Sequence, residues 1–528
     1  MKWILLLLFP LLSACVPLSQ PNAPSPFNEA QLRADIQELA SDRYQGRLPT
    51  TEGEDLTLDY LERRFRQIGL QPGNGDSYRQ AVPMKRFHTQ SANLSLGEHT
   101  YRYLFDMVLN SFADQAEVTV ESSDVVFVGY GINAPEYGWN DYAQLDVTGK
   151  TVVILVNDPG YASADPALFK GGTMTYYGRW DYKFAEAGRQ GAAAALIIHD
   201  TKPASYPWLV VQNSWTGPQL DMADSRDPHP LLEGWLSQTA AKRLFAQAGL
   251  DLLALAERAQ QGPTAVSLNI KANARIEQTI EHATSHNMVA LLPGSQSANE
   301  EVLYTAHWDH IGAQSDKIYN GAMDNATGIA ALLALAERFA SGTPPQRSIR
   351  FLAVTGEEQG LLGSRYYAAN PIVPLEHVAG LFNIDSTNVY GKTRDYTLVG
   401  QGQSELETLL VVAAQRQGRT IAPESNPGAG GYYRSDHFSF VQKGVPSVYA
   451  RGGQTPWDQE TADYKAQLRQ LQKGCYHNTC DIYRPEWDMT GSLQDIQVYF
   501  EAGQALANSA YWPGFLPASE FHSLRPAQ

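Results

Sequence analysis

Apolar and polar positions follow two different periods along this chain, and the places where the period changes mark its organisation. From Asn28 to Leu70 the spacing predicts helices. Leu32, Ile36 and Leu39 form one stripe and Leu58, Leu61, Phe65 and Ile68 another, with Gly69 and Pro72-Gly73 ending the second. Between Asp114 and Gly262 the texture changes. Residues 125–131 and 151–156 read as buried strands, residues 180–190 as a helix, and residues 191–198 as a further apolar run. Strand and helix alternating within so short a span predicts a small domain of its own. After Asn287 the alternation becomes regular. Strands are expected at 288–292, 302–306, 349–355, 379–384 and 445–449, and helices at 327–340, 406–417 and 493–507. Several of these strands are apolar throughout, as strands covered on both faces must be. The fold class expected is therefore α/β, a mixed and largely parallel central sheet flanked by helices, with a smaller inserted domain.

The length of 528 residues is too great for one ordinary core and agrees with two. The boundaries read from the pattern are a discontinuous main domain at 27–113 and 263–515, an insert at 114–262, and a tail at 516–528. Ahead of these, Met1-Lys2 begins a short basic start and residues 3–12 form an apolar run too short to span a bilayer, as in a signal peptide. The run closes on Leu12-Ser13-Ala14-Cys15, which resembles a bacterial lipoprotein cleavage box. That resemblance implies removal of residues 1–14, lipidation of Cys15, and a Pro/Ser-rich tether over 15–26. The expected address is the bacterial cell envelope, with the membrane reached through the lipid on Cys15 only. Val16 in place of an aspartate after the cysteine points to the outer membrane or periplasm in a Gram-negative cell. A formal net charge of −16 argues against nucleic acid as a partner, since that binding depends on basic groups neutralising phosphates. With Cys15 lipidated, Cys475 and Cys480 remain, and an exported chain sits where they would pair as a disulfide around His477.

The chemistry lies at the ends of the apolar runs. His307-Trp308-Asp309 follows one predicted strand, Glu357-Glu358 another and Asp385 a third, while Asp324 precedes a helix and His477 sits in the cysteine loop. In open α/β sheets ligands collect outside the carboxyl ends of the strands, so residues distant in sequence can converge there. Taken singly, each has a plainer reading. His-x-Asp is a common surface pair, Glu357-Glu358 a solvated loop, and Asp324 or Asp385 a cap. Taken together they supply nitrogen and oxygen ligands of the kind zinc favours, with two acids to spare. The count suits two metals, Asp324 bridging, with Glu357 free to move a proton and Asp309 placed to hold the other ring nitrogen of His307.

These segments carry a family resemblance. His307-Trp-Asp309-His-Ile-Gly, Gly321-Ala-Met-Asp324-Asn-Ala-Thr-Gly, Thr355-Gly-Glu357-Glu358-Gln-Gly-Leu-Leu-Gly-Ser, Asn383-Ile-Asp385 and Tyr476-His477 resemble the zinc-dependent aminopeptidases of metallopeptidase family 28. The resemblance runs from Leu32 to Ala507, and residues 114–262 resemble the protease-associated domain inserted in many members. It implies that His307, Asp324, Glu358, Asp385 and His477 hold two Zn2+ per chain, with Asp324 bridging and its peptide bond to Asn325 cis. It implies Glu357 as general base, Asp309 as support for His307, and Tyr432, three residues before Ser435-Asp436-His437, as an aid to the oxyanion. One departure is Asn478-Thr479-Cys480 after His477, where relatives often carry proline.

The reaction implied is hydrolysis of the amino-terminal peptide bond of peptides with a free amino terminus, by metal-activated water with Glu357 as base. A carboxypeptidase-like or glutaminyl-cyclase-like relative is an alternative within the fold. A non-catalytic binding protein of the same fold, like the transferrin receptors, is an alternative from another class. Side-chain preference, oligomeric state and the role of the insert are not written in the sequence.

Overall fold

The computed structural model describes residues 25–163, 165–225 and 227–527. The expected signal peptide, Cys15 and most of the tether lie outside the described residues. Among the described residues, no helix is long and apolar enough to cross a membrane.

Four strands build the part of the sheet that matters most for chemistry. Ser297–His307 lies at its centre, parallel to Arg347–Val354 on one side and to Val378–Asn383 on the other, and Ser447–Gly452 continues parallel beyond the latter. The register sets Tyr304 opposite both Phe351 and Phe382, whose rings stack on it. Parallel strands in this register bring their carboxyl ends to one edge. The helix Thr327–Ala340 covers this sheet and is buried on nearly every face, because Ile329, Leu332, Leu333, Leu335 and Phe339 leave little polar surface. The closing helix Thr490–Ala507 packs beside it, its Tyr499 hydroxyl donating to the carbonyls of Asn383 and Ala450. The resulting core draws on residues 27–78 and 288–507.

A second pair of cores lies in residues 94–276. There Glu117–Phe127, Thr151–Leu155, Ala194–Ile198 and Leu232–Leu236 run parallel in that order, with Met107–Asn110 antiparallel at the edge. The two lobes share one sheet through Val266–Leu292, a 27-residue strand that pairs with Glu117–Phe127 at one end and Arg347–Val354 at the other. The strand Arg79–Leu96 runs antiparallel along it. Residues outside the 114–262 span also pack into the second core, among them Leu94, Leu96, Leu109, Leu268 and Ile276. Both long strands carry surface as well as core, with burial alternating residue by residue.

Candidate metal centre

The edge formed by the parallel strands gathers the acids and histidines. His307 is the last residue of its strand, Glu357 and Glu358 follow Arg347–Val354 across Thr355-Gly356, and Asp385 follows Val378–Asn383 across Ile384. Asp324 sits in the distorted turn Ala322–Ala326 that leads into the buried helix, and its peptide bond to Asn325 is cis. Asn325 ties these segments together. Its Oδ1 accepts from the Gly328 and Ser386 N–H groups at 3.0 and 2.9 Å, and its Nδ2 donates to the carbonyls of Ile384 (3.1 Å) and His307 (3.4 Å). Gly328 has to lack a side chain here, since a Cβ would stand 2.1 Å from that Oδ1. The last predicted ligand comes from a loop closed by the Cys475–Cys480 disulfide, with His477 in the left-handed region at φ 51°.

Asp324 stands between the two histidines. Its Oδ1 is 3.3 Å from His307 Nε2 and its Oδ2 is 3.4 Å from His477 Nε2. Asp385 Oδ1 approaches His307 Nε2 at 3.6 Å, and Glu358 Oε2 approaches His477 Nε2 at 2.9 Å. All five expected ligands therefore meet. Both Nε2 atoms are buried and make no well-aligned hydrogen bond among the described residues; each faces carboxylate oxygens at 2.9 to 3.6 Å, as ligands converging on one cation would. These two imidazoles and three carboxylates fit the ligand chemistry of zinc.

Glu357 shares this edge and lines a cavity of about 640 Å³ together with Asp324, Asp385, Tyr449 and Tyr476. Burial, against the pull of His307 but with the help of the Asp385 and Glu358 charges, pushes its carboxyl above the ordinary range. Asp309 is buried and its carboxyl is likewise pushed up, to about 7, mainly by burial. Its placement refines the expected role. The closest Asp309 atom to His307 Nδ1 is the backbone carbonyl at 3.2 Å, while the carboxylate stands 3.8 Å away. The carboxylate instead accepts from the N–H groups of Glu357 (3.1 Å) and Glu358 (3.4 Å), which fixes the turn carrying both glutamates. Tyr432 does not line this cavity. Its ring is enclosed with Val399, Tyr433, Phe438 and Phe521 and its hydroxyl has no partner among the described residues, while its neighbours Gly431 and Arg434 form the cavity wall.

Two residues at the centre, His310 and Asp481, were not singled out from the sequence. His310 Nδ1 lies 2.6 Å from Glu358 Oε1, and His310 groups with Asp324 and Glu358 as a further set of possible ligands. Its nearness to His307 in the chain was the only available signal. Asp481 directly follows the cysteine loop and accepts from the Met323 and Asp324 N–H groups at 2.9 and 3.2 Å, so it positions Asp324. Tyr449 donates its hydroxyl to the Asp385 carbonyl at 3.0 Å.

Residues 287–500 match the sequence model of Peptidase family M28. Among curated proteins, the chain is 28% identical over 215 residues to leupeptin-inactivating enzyme 1 of Streptomyces exfoliatus, covering 38% of this chain and 44% of that protein. It is 27% identical over 205 residues to the probable lipoprotein aminopeptidase LpqL of Mycobacterium tuberculosis, covering 36% and 37%. A vacuolar membrane protease of Clavispora lusitaniae matches at 26% over 195 residues, covering 37% of this chain and 17% of its own length. The chain thus spans less than half the length of these relatives. Among solved structures, an aminopeptidase from Aneurinibacillus sp. strain AM-1 superposes with a TM-score of 0.55 at 18% identity, covering 92% of this chain and 95% of that one. The fold, mixed α/β with a large and mostly parallel central sheet, is that of this aminopeptidase.

Proposed function

We propose that this chain is a zinc-dependent aminopeptidase of family M28, acting on peptides with a free amino terminus. The observation that carries the reading is the convergence of the buried His307 and His477 Nε2 atoms on Asp324, Asp385 and Glu358, at 2.9 to 3.6 Å, beside an open cavity. His307 and Asp385 would hold one Zn2+ and His477 and Glu358 the second, with Asp324 bridging. Bound zinc supplies a Lewis acid that polarises a peptide carbonyl and makes water acidic near neutral pH.

The chain's own residues divide the remaining work. Glu357 is not needed as a ligand and faces the cavity, where its carboxylate takes the proton from the attacking water and returns it to the leaving amine. Asp309, through the two N–H groups it accepts, keeps Glu357 and Glu358 pointing to their separate tasks. Asp481 holds the backbone of Asp324, and the His307 ring is oriented by the Asp309 carbonyl. Attack at the amino end accords with the name of the probable lipoprotein aminopeptidase LpqL. Residues 114–262 we read as an inserted protease-associated domain, and Cys15 as a lipid anchor to the bacterial envelope, in keeping with the relative named as a probable lipoprotein aminopeptidase.

Digestion of a defined peptide mixture by zinc-loaded protein, followed by mass spectrometry, tests this. The expected products are peptides shortened one residue at a time from the amino end, with N-acetylated peptides untouched. Trimming from the carboxyl end, internal cleavage or no cleavage would contradict the assignment.

A further inference from the structure

His477 is held in place from the second lobe. Its ring Nδ1 lies 2.8 Å from the Ser214 hydroxyl, and its backbone carbonyl accepts from Asn213 Nδ2 at 2.8 Å. Both partners sit at the end of the short helix Trp208–Ser214, more than 260 residues away in the chain. That helix is itself firmly seated. Trp208 Nε1 and Gln212 Nε2 donate to the Leu104 carbonyl at 2.9 and 2.7 Å, and Val211 and Trp215 pack into the second lobe's core. On the other side, Gln314 Nε2 donates to the Asn213 carbonyl at 3.2 Å and so ties the helix end to the lobe bearing His307.

The two histidines are therefore oriented by different means. His307 is fixed by a carbonyl two residues along its own segment, whereas His477 depends on a hydroxyl from the other lobe. If Nε2 is to offer a lone pair to a metal, Nδ1 must carry the proton, and Ser214 Oγ is the atom placed to accept it. We propose that Ser214 is a positioning residue for the metal centre, through which docking of the second lobe sets how tightly the His477 side of the site holds zinc. This rests on the reading of His477 as a ligand.

Zinc affinity of the purified full chain, measured by competition with a chromogenic chelator, tests the proposal without recourse to activity. Ser214→Ala should weaken the binding of one of the two zinc ions, the one on the His477 side, roughly 10- to 100-fold, the usual cost of losing an outer partner of a metal-bound histidine. Ser214→Thr, which keeps the hydroxyl, should restore most of the affinity. Ser214→Ala should add nothing further in a His477→Ala background, since the two act as one unit. Unchanged affinity in Ser214→Ala, with loss in His477→Ala, would overturn the role of Ser214 and leave the ligand reading standing. Additive losses, or no rescue by threonine, would show that the substitution acts through lobe docking in general and would also overturn it. Undiminished zinc binding in His477→Ala would remove the ligand reading, and the proposal with it.

Discussion

Arg47 offers a test of what holds the ligand-bearing loops together. It is 1% exposed and its guanidinium donates to four backbone carbonyls, of Trp308 (2.8 Å), Leu39 (2.7 Å), Asn320 (2.7 Å) and Gly321 (2.9 Å). Trp308 adjoins His307, and Asn320-Gly321 leads to Asp324, so one side chain braces both loops against the first helix, Glu29–Leu39. Burial draws its pKa down to about 10, against the pull of Asp481, Asp309 and Asp324, and it remains a cation at neutral pH. Arg47→Met fills similar space without a donor. All four carbonyls lose the guanidinium; the Gly321 carbonyl keeps the Ala326 N–H, and the other three lose their partner. At about 1–3 kcal/mol for each buried group left without its partner, the loss is roughly 3–9 kcal/mol. Relief from burying a cation offsets part of it, so the net destabilisation lies toward the lower end of that range, about 3–5 kcal/mol. Urea unfolding followed by tryptophan fluorescence measures it. Arg47→Lys should fall between, because three protons on one nitrogen cannot span four carbonyls. A loss under about 1 kcal/mol in Arg47→Met would refute the bracing argument.

Other substitutions probe other parts of the structure. His229 Nδ1 lies 2.7 Å from Glu233 Oε1 and its Nε2 3.8 Å from Asp221 Oδ2; burial opposes its charge, but these carboxylates lift its pKa to about 9. A raised folded pKa stabilises fully below the ordinary value of about 6.5 and ceases to do so as pH rises through about 9. The stability gap between wild type and His229→Asn should therefore narrow across that window, and a gap that widens there would count against the pairing. Opening the disulfide with Cys475→Ser and Cys480→Ser should cost about 2 kcal/mol, the chain-entropy value for so small a ring, as measured by urea unfolding against the intact protein. Gly363→Ala would set a Cβ 2.4 Å from both the Thr355 carbonyl and Asn287 Oδ1, just behind the glutamate turn. Overpacking there should destabilise by roughly 1–3 kcal/mol, with thermal unfolding as the readout.

The sequence made the site legible further than it made the lobes. The helix at 327–340 and the strand at 302–306 could be read because each is strongly apolar and bounded by clear signals, and the structure places them at Thr327–Ala340 and within Ser297–His307. Of Val266–Leu292, only the end at 288–292 is read as a strand from the sequence. Earlier in the strand, the inward Leu268, Ile270, Ala272, Ala274 and Ile276 alternate with polar outward residues, a period of two that was present in the sequence. The helix Gln459–Leu471 buries only Lys465 and Leu468 and had no apolar stripe to show. Strand-end placement sufficed to bring most of the five expected ligands together. The contacts of His310, Asp481 and Ser214 depend on how loops meet across long separations, which no local pattern records. Asp309 and Tyr432 show the same limit at closer range. A motif located them, but only coordinates could show the Asp309 carboxylate holding the glutamate turn and the Tyr432 ring enclosed among aromatics.

The division of labour between Glu357 and Glu358 is the centre of the account, and one comparison tests it most directly. Zinc content and hydrolysis of an aminoacyl arylamide would be measured side by side for wild type and Glu357→Gln. The variant should bind zinc as the wild type does, while its turnover falls by roughly 10²- to 10⁴-fold, the usual worth of a positioned general base. Turnover that survives in zinc-loaded Glu357→Gln would contradict the account.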